Sequence, residues 1–252
     1  MSQSLERGLE SMIFLSTRKS VGVTELAEEL QINKSTAFRI LETLQKFNMV
    51  EQNKSTSKYK LGPAILRLSE QIYKNLNIIS IAKPYMIKLA EEVGESVHLC
   101  ILSNDKAVII EQIVTNSRLI VNAKIGNNEP LNSSSVGKCL LAFTNEPMRG
   151  IILSRLNYEK FTDKTIIDAE HLIEELSIIK SHGYAIDDGE MSDEIRCIAA
   201  PIFNHLGEVI YSIGISGPNG RMTEKKVEII ISNLLIVTNA ISINLGYIGE
   251  NT

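Results

Sequence analysis

The stretch Val23–Phe47 limits what this chain can fold into more than any other. Leu26, Ala27 and Leu30 make the apolar stripe of one short helix. Ala37, Ile40, Leu41 and Leu44 repeat at i, i+3, i+4 and i+7 and make the stripe of a second. Gln31-Ile32-Asn33 is the turn between them, with Ile32 turned inward and Asn33 placed to cap the second helix. Thr24 is the expected cap of the first. Once the stripe faces a core, Lys34, Ser35, Phe38, Arg39 and Glu42 must face out. Lys34, Ser35 and Thr36 lie at a helix start, where backbone N–H groups and the dipole favour phosphate. Arg39 lies one turn on, within reach of a guanine edge, and Phe38 either meets a thymine methyl or folds back. Two short helices with this outward face form a helix-turn-helix whose second helix enters the major groove of double-stranded DNA.

The flanks extend the module. Leu5, Leu9, Met12, Ile13 and Leu15 predict a helix over residues 3–17. Met49–Gln52 and Lys58–Leu61 predict two strands joined by the polar run 53–57. A hairpin directly after a recognition helix is a wing, and Lys54, Lys58 and Lys60 would lie near the DNA backbone. The same shape also serves as a protein-contact module, so DNA is the first expectation and protein assembly the alternative.

A net charge of −4 suits a DNA binder only after it is divided. Residues 1–62 carry +2 and the remainder −6, as expected for a DNA module joined to a domain that does not touch DNA. At 252 residues there is room for two unequal domains. No basic segment followed by an apolar run opens the chain, and polar residues interrupt Ile229–Leu245, which predicts no membrane span. Three widely spaced cysteines make no disulfide framework. The expected setting is the cytoplasm.

Residues 63–79 form a connector. Ile65, Leu68, Ile72 and Leu76 make one helical stripe that needs a partner, either the same helix of a second subunit or the chain's own domains. Residues 80–252 alternate. A helix ending at Gly94 precedes strand-like runs at Ser96–Leu102, Ala107–Ile113 and Leu119–Asn122. Helical patterns follow at 138–143, 146–155 and 168–182. Strands are expected at Tyr184–Asp187, Ile195–Phe203 and Val209–Ser216, and a last helix from Thr223 to Leu245, serving either as core or as assembly surface. This order predicts an α+β domain on a largely antiparallel sheet.

Three segments of this rear part resemble a known family. They are Leu131–Cys139 (LNSSSVGKC), Gly183–Glu190 (GYAIDDGE) with Arg196–Phe203 (RCIAAPIF), and Ile215–Pro218 followed by Arg221 and Thr223. With Ser35-Thr36, Arg39 and Tyr59–Gly62, they are similar in order and spacing to the IclR-type transcriptional regulators. The resemblance implies a winged helix (1–62), a linker and dimerisation helix (63–79) and a GAF-like effector-binding domain (80–252). It implies a regulator, expected to repress, that binds promoter DNA as a homodimer or dimer of dimers. A carboxylate, keto acid or aromatic acid would modulate it, with no cofactor and no catalysis. By motif position the effector would meet Ser134, Ser135, Val136, Asp187, Cys197, Gly214 and Ser216. Asp187 would hold a ligand hydroxyl or anchor its loop. Four positions depart from the family pattern: Asn132 for His, Ser135 for Gly, Gly214 for a ligand-binding Ser, and Glu194 for Gly.

Two other chemistries compete. Cys197, with His98 or His182 as base, could make the rear domain a thiol enzyme, although no third group or oxyanion site is visible. His98 and Cys100 share a strand face and would need a third donor to bind zinc.

Overall fold

The computed structural model describes residues 2–115 and 124–249, so the strand expected at Leu119–Asn122 lies outside the described residues. The chain divides into two compact units, Met1–Leu76 and Asn77–Thr252.

The first unit runs α1 (Gln3–Ser16), α2 (Val23–Glu29), α3 (Lys34–Lys46), β1 (Val50–Gln52), β2 (Tyr59–Leu61) and α4 (Ala64–Asn75). Leu15, Leu26, Ala37, Leu41, Val50 and Tyr59 close its core. Asn33 caps α3 as expected, its Oδ1 accepting from the Thr36 amide at 2.8 Å. The cap of α2 differs. Gly22, not Thr24, is the N-cap, and the Glu25 carboxylate reaches back to accept from the Gly22 N–H at 2.7 Å. That bond satisfies an end donor without a capping hydroxyl and leaves Thr24 inside the first turn. β1 and β2 pair antiparallel in the register Val50–Leu61. Leu68 and Ile72 on α4, and Leu76 just past its end, are exposed, and only Ile65 of the expected stripe is half-buried. Helix does not run unbroken through 63–79. Asn77 starts a new helix by accepting from the Ile79 and Ser80 amides.

The second unit contains α5 (Ile78–Val93), β3 (Ser96–Ser103), β4 (Lys106–Ile113), β5 (Asn128–Glu129), α6 (Ser135–Phe143), α7 (Met148–Arg155), α8 (Ala169–His182), β6 (Ala185–Asp188), β7 (Ile195–Phe203), β8 (Val209–Pro218) and α9 (Glu224–Asn244). Six strands form one sheet in the order β5-β4-β3-β8-β7-β6, every neighbouring pair antiparallel. Strand alternation gives the sheet two unlike faces. Val97, Leu99, Ile198, Ala200, Ile213 and Ile215 pack against α5 and α9. His98, Cys197, Gly214 and Ser216 alternate with them and so lie on the side of α6, a face of small and polar side chains.

By length and composition α9 is apolar enough to cross a membrane, contrary to the expectation from its polar interruptions. Its Val227, Ile230, Leu234 and Ile241 are instead buried in the core that includes β7. Ser232, Asn239 and Asn244 lie exposed.

Candidate DNA-reading helix and effector cavity

The outward face of α3 is arranged as its stripe requires. Lys34, Ser35, Phe38, Arg39 and Glu42 are exposed, and Thr36 is half-buried. Phe38 keeps 47% of its surface open, so it does not fold into the core. The Ser35 hydroxyl donates to Asn33 Oδ1 at 2.8 Å, which ties it to the cap. The three wing lysines separate. Lys58 pairs with Glu25 at 2.9 Å and Lys60 with Glu51 at 2.6 Å, whereas no ion pair holds Lys54 among the described residues. Two of the three wing cations are therefore partly neutralised within the fold.

In the second unit a cavity of about 130 Å³ lies between the start of α6 and the polar face of the sheet. Ser134 caps α6, its Oγ accepting from the Gly137 N–H at 3.0 Å and donating to Pro130 O at 2.6 Å. This cap leaves the first-turn amides of Ser135 and Val136 without an intrahelical acceptor. Gly137 lets the helix start press on the preceding turn. A Cβ there would overlap Pro130 O and come within 2.8 Å of Leu131 Cα.

Of the expected effector residues, Ser134, Ser135, Asp187, Cys197 and Ser216 line this cavity together. The Val136 side chain and Gly214 do not. They pack on each other behind the wall, where a Cβ on Gly214 would stand 2.5 Å from Val136 Cγ1 and 2.8 Å from His98 Nε2. The imidazole thus fills the room that a serine at 214 would need. Asn132 is also absent from the lining. It is fully buried and donates to Ile166 O at 2.8 Å and Glu159 O at 3.3 Å, pinning the loop between α7 and α8. Glu194 is exposed and outside the lining.

Asp187 is a loop anchor. Its Oδ1 accepts from the Glu190 N–H at 2.6 Å. Burial lifts its carboxyl to about 6, against the pull of the turn amides and Lys138. Behind the turn, Lys138 of α6 is 1% exposed and pairs with Glu190 and, at 3.1 Å, with Glu175. Burial raises Glu190 to about 7 despite that cation.

Sequence reasoning missed His98 and Glu129 as lining residues. His98 pairs across the sheet with Gly214, and its Nε2 lies 3.3 Å from Ser216 Oγ. Burial lowers it to about 4, so the ring is neutral at pH 7. Glu129 enters from β5, and burial together with the Asp187 charge raises it to about 7. The signals were faint: a histidine two residues before Cys100, and one acid in a polar loop. Lys138, the one cation in the SVGKCLLAF helix, was readable as a buried partner only with the fold in hand.

The cavity is not built for thiol catalysis. Burial, and then the Asp187 charge, push the Cys197 thiol upward, away from thiolate. The His98 ring interacts with Ser216 instead, and His182 stacks on Tyr184. Among the described residues, no three His, Cys, Asp or Glu side chains are placed to hold a metal ion.

A winged helix with a polar recognition face, followed by an α+β domain on one antiparallel sheet, is the layout of a DNA-binding regulator of transcription. The IclR helix-turn-helix domain model matches residues 4–54, and the bacterial transcriptional regulator IclR C-terminal model matches residues 70–243. The regulator KdgR of Escherichia coli K12 is 31% identical over 92% of this chain and 89% of its own length. The transcriptional repressor IclR of the same strain is 32% identical over 89% of this chain and 83% of its own. The crystal structure of the E. coli KdgR C-terminal domain, 31% identical, superposes with a TM-score of 0.63 over 68% of this chain and all of that one. A regulator from Silicibacter, 22% identical, shares the fold with a TM-score of 0.83 over 97% of this chain and 98% of that one. The chain belongs to the IclR family of transcriptional regulators. Members of this family bind DNA and are not enzymes, so the thiol-enzyme alternative falls away.

Proposed function

We propose that the protein is a cytoplasmic repressor that holds operator DNA as a homodimer, or a dimer of dimers, and changes its hold when a small acidic metabolite binds the second unit. The observation that carries the ligand half is the cavity at the start of α6. Two first-turn amides with no intrahelical acceptor favour an anion. The cavity of about 130 Å³ suits a metabolite of few carbons, because pockets for drug-sized ligands begin at about 300 Å³. Repression follows the names of two relatives, the repressor IclR and the acetate operon repressor of Salmonella typhimurium. Dimerisation rests on the bare α4 stripe and on the two-fold logic of paired recognition helices. Within this reading Lys34, Ser35, Thr36 and Lys54 contact phosphates, while Arg39 and Phe38 contact bases. The same reading assigns the connector to 63–79 and the effector domain to 80–252, while the compact units divide at Leu76 and Asn77.

The test is a footprint on the DNA upstream of the protein's own coding sequence, run with a panel of small carboxylates. A protected partial palindrome whose occupancy changes with one acid supports the proposal. Protection that no acid alters, in a protein whose melting no acid shifts, overturns the ligand half.

A further inference from the structure

Glu129 is an acidic member of the cavity wall that no motif explains. The two-residue strand β5 pairs with β4 through Glu129 opposite Ala107, which sets its side chain at the cavity. Its carboxylate accepts no hydrogen bond and meets no cation among the described residues. Asp187 lies on the same cavity but is occupied by the Glu190 amide. His98, only 4% exposed, lines the cavity too and leaves Nδ1 without a partner. Glu129 and Met191 also border a second, outer cavity of about 470 Å³. Glu129 and Met191 therefore stand in the walls of both cavities.

We propose that Glu129 selects the effector, accepting a hydrogen bond from a hydroxyl group on a small carboxylate whose acid group rests on the Ser135 and Val136 amides. The chemistry of the walls favours such a donor. The α6 start offers backbone N–H groups, and Glu129 on the same cavity offers an acceptor with no donor from the described residues. A ligand that is all acceptor, such as a plain short-chain carboxylate or keto acid, leaves the ionised Glu129 carboxylate without a donor from the ligand. A hydroxy acid satisfies both ends. The proposal rests on the α6 cavity being the effector site and adds to it the class of ligand and the residue that discriminates.

The experiment is calorimetric titration of the full chain at pH 8.5, above the value of about 7 to which burial raises Glu129, with propionate, pyruvate, lactate and glycerate, for wild type, Glu129→Ala and Glu129→Gln. Glycerate or lactate should bind wild type at least tenfold more tightly than propionate, about 1.4 kcal/mol. Glu129→Ala should bring that ratio below about threefold without weakening propionate, and Glu129→Gln, which keeps an acceptor, should retain part of it. Hydroxylated and plain acids binding wild type alike, or a ratio that survives in Glu129→Ala, would overturn the role of Glu129 while leaving the cavity as effector site. Binding of none of the four, or tight binding that survives in a Gly137→Ala variant shown to be folded, would overturn both.

Discussion

At the scale of single residues, charge partners separate side chains that look alike in the sequence. Lys54 and Lys58 lie on the same wing, but Lys58 is already paired with Glu25. Removing one lysine that neutralises a phosphate should flatten the salt dependence of DNA binding by about one unit of slope. Lys54→Ala should show that flattening and Lys58→Ala clearly less, in binding measured from 50 to 200 mM salt. Arg39→Ala should weaken operator binding at least tenfold and relax base preference, with unchanged helical signal by circular dichroism. The buried acids predict a pH effect. The Glu129 carboxyl titrates near 4.5 when unfolded and about 7 in the fold. Across that window the folded protein holds a proton that the unfolded chain releases, so the stability from this group falls as pH rises from 4.5 to 7. Relative to wild type, Glu129→Gln should gain on the order of 1 kcal/mol in stability between pH 5 and 7.5 in denaturant melts. His98 runs the other way. Its folded value of about 4 lies below the ordinary 6.5, so its contribution is lost as pH falls through that interval.

At the scale of elements, the start of α6 bears the most constraint. Gly137 admits no side chain because backbone, not a flexible side-chain end, fills the space. Gly137→Ala should cost about 2 kcal/mol or more in thermal melts and abolish effector binding. Lys138 ties the same helix to the turn after β6 through Glu190 and to α8 through Glu175. Lys138→Met should destabilise by about 3–5 kcal/mol, because it leaves the buried Glu190 carboxyl without its cation. Lys138→Met with Glu190→Gln should recover part of that stability, and a double-mutant cycle that finds no coupling would dismiss the ion pair as a structural tie. The helices of the first unit were legible because an amphipathic period needs only local residues. Even there the cap of α2 was misread, since Glu25 reaching back to Gly22 is as good a cap as a threonine hydroxyl. The polar alternation of β3, β7 and β8 was visible as strands, but not as one shared face.

At the scale of the whole molecule, two compact units with separate cores are joined near Leu76 and Asn77. If α4 pairs subunits, Leu68→Glu should lower the assembly state in sedimentation and weaken binding to a two-half-site operator, while each unit keeps its fold. The sequence by itself determined the module order, the recognition face of α3, the antiparallel α+β character of the rear domain and the family. All of these depend on periodicity and on short contiguous motifs, which any stretch of chain carries with it. Only the tertiary structure decided which side chains meet. Sheet register set His98 opposite Gly214, and β5 delivered Glu129 to the cavity. The packing of α6 on the sheet set the Val136 side chain and Gly214 against each other, outside the cavity lining. Such meetings join residues tens of positions apart in sequence, and no local pattern encodes the distance between them.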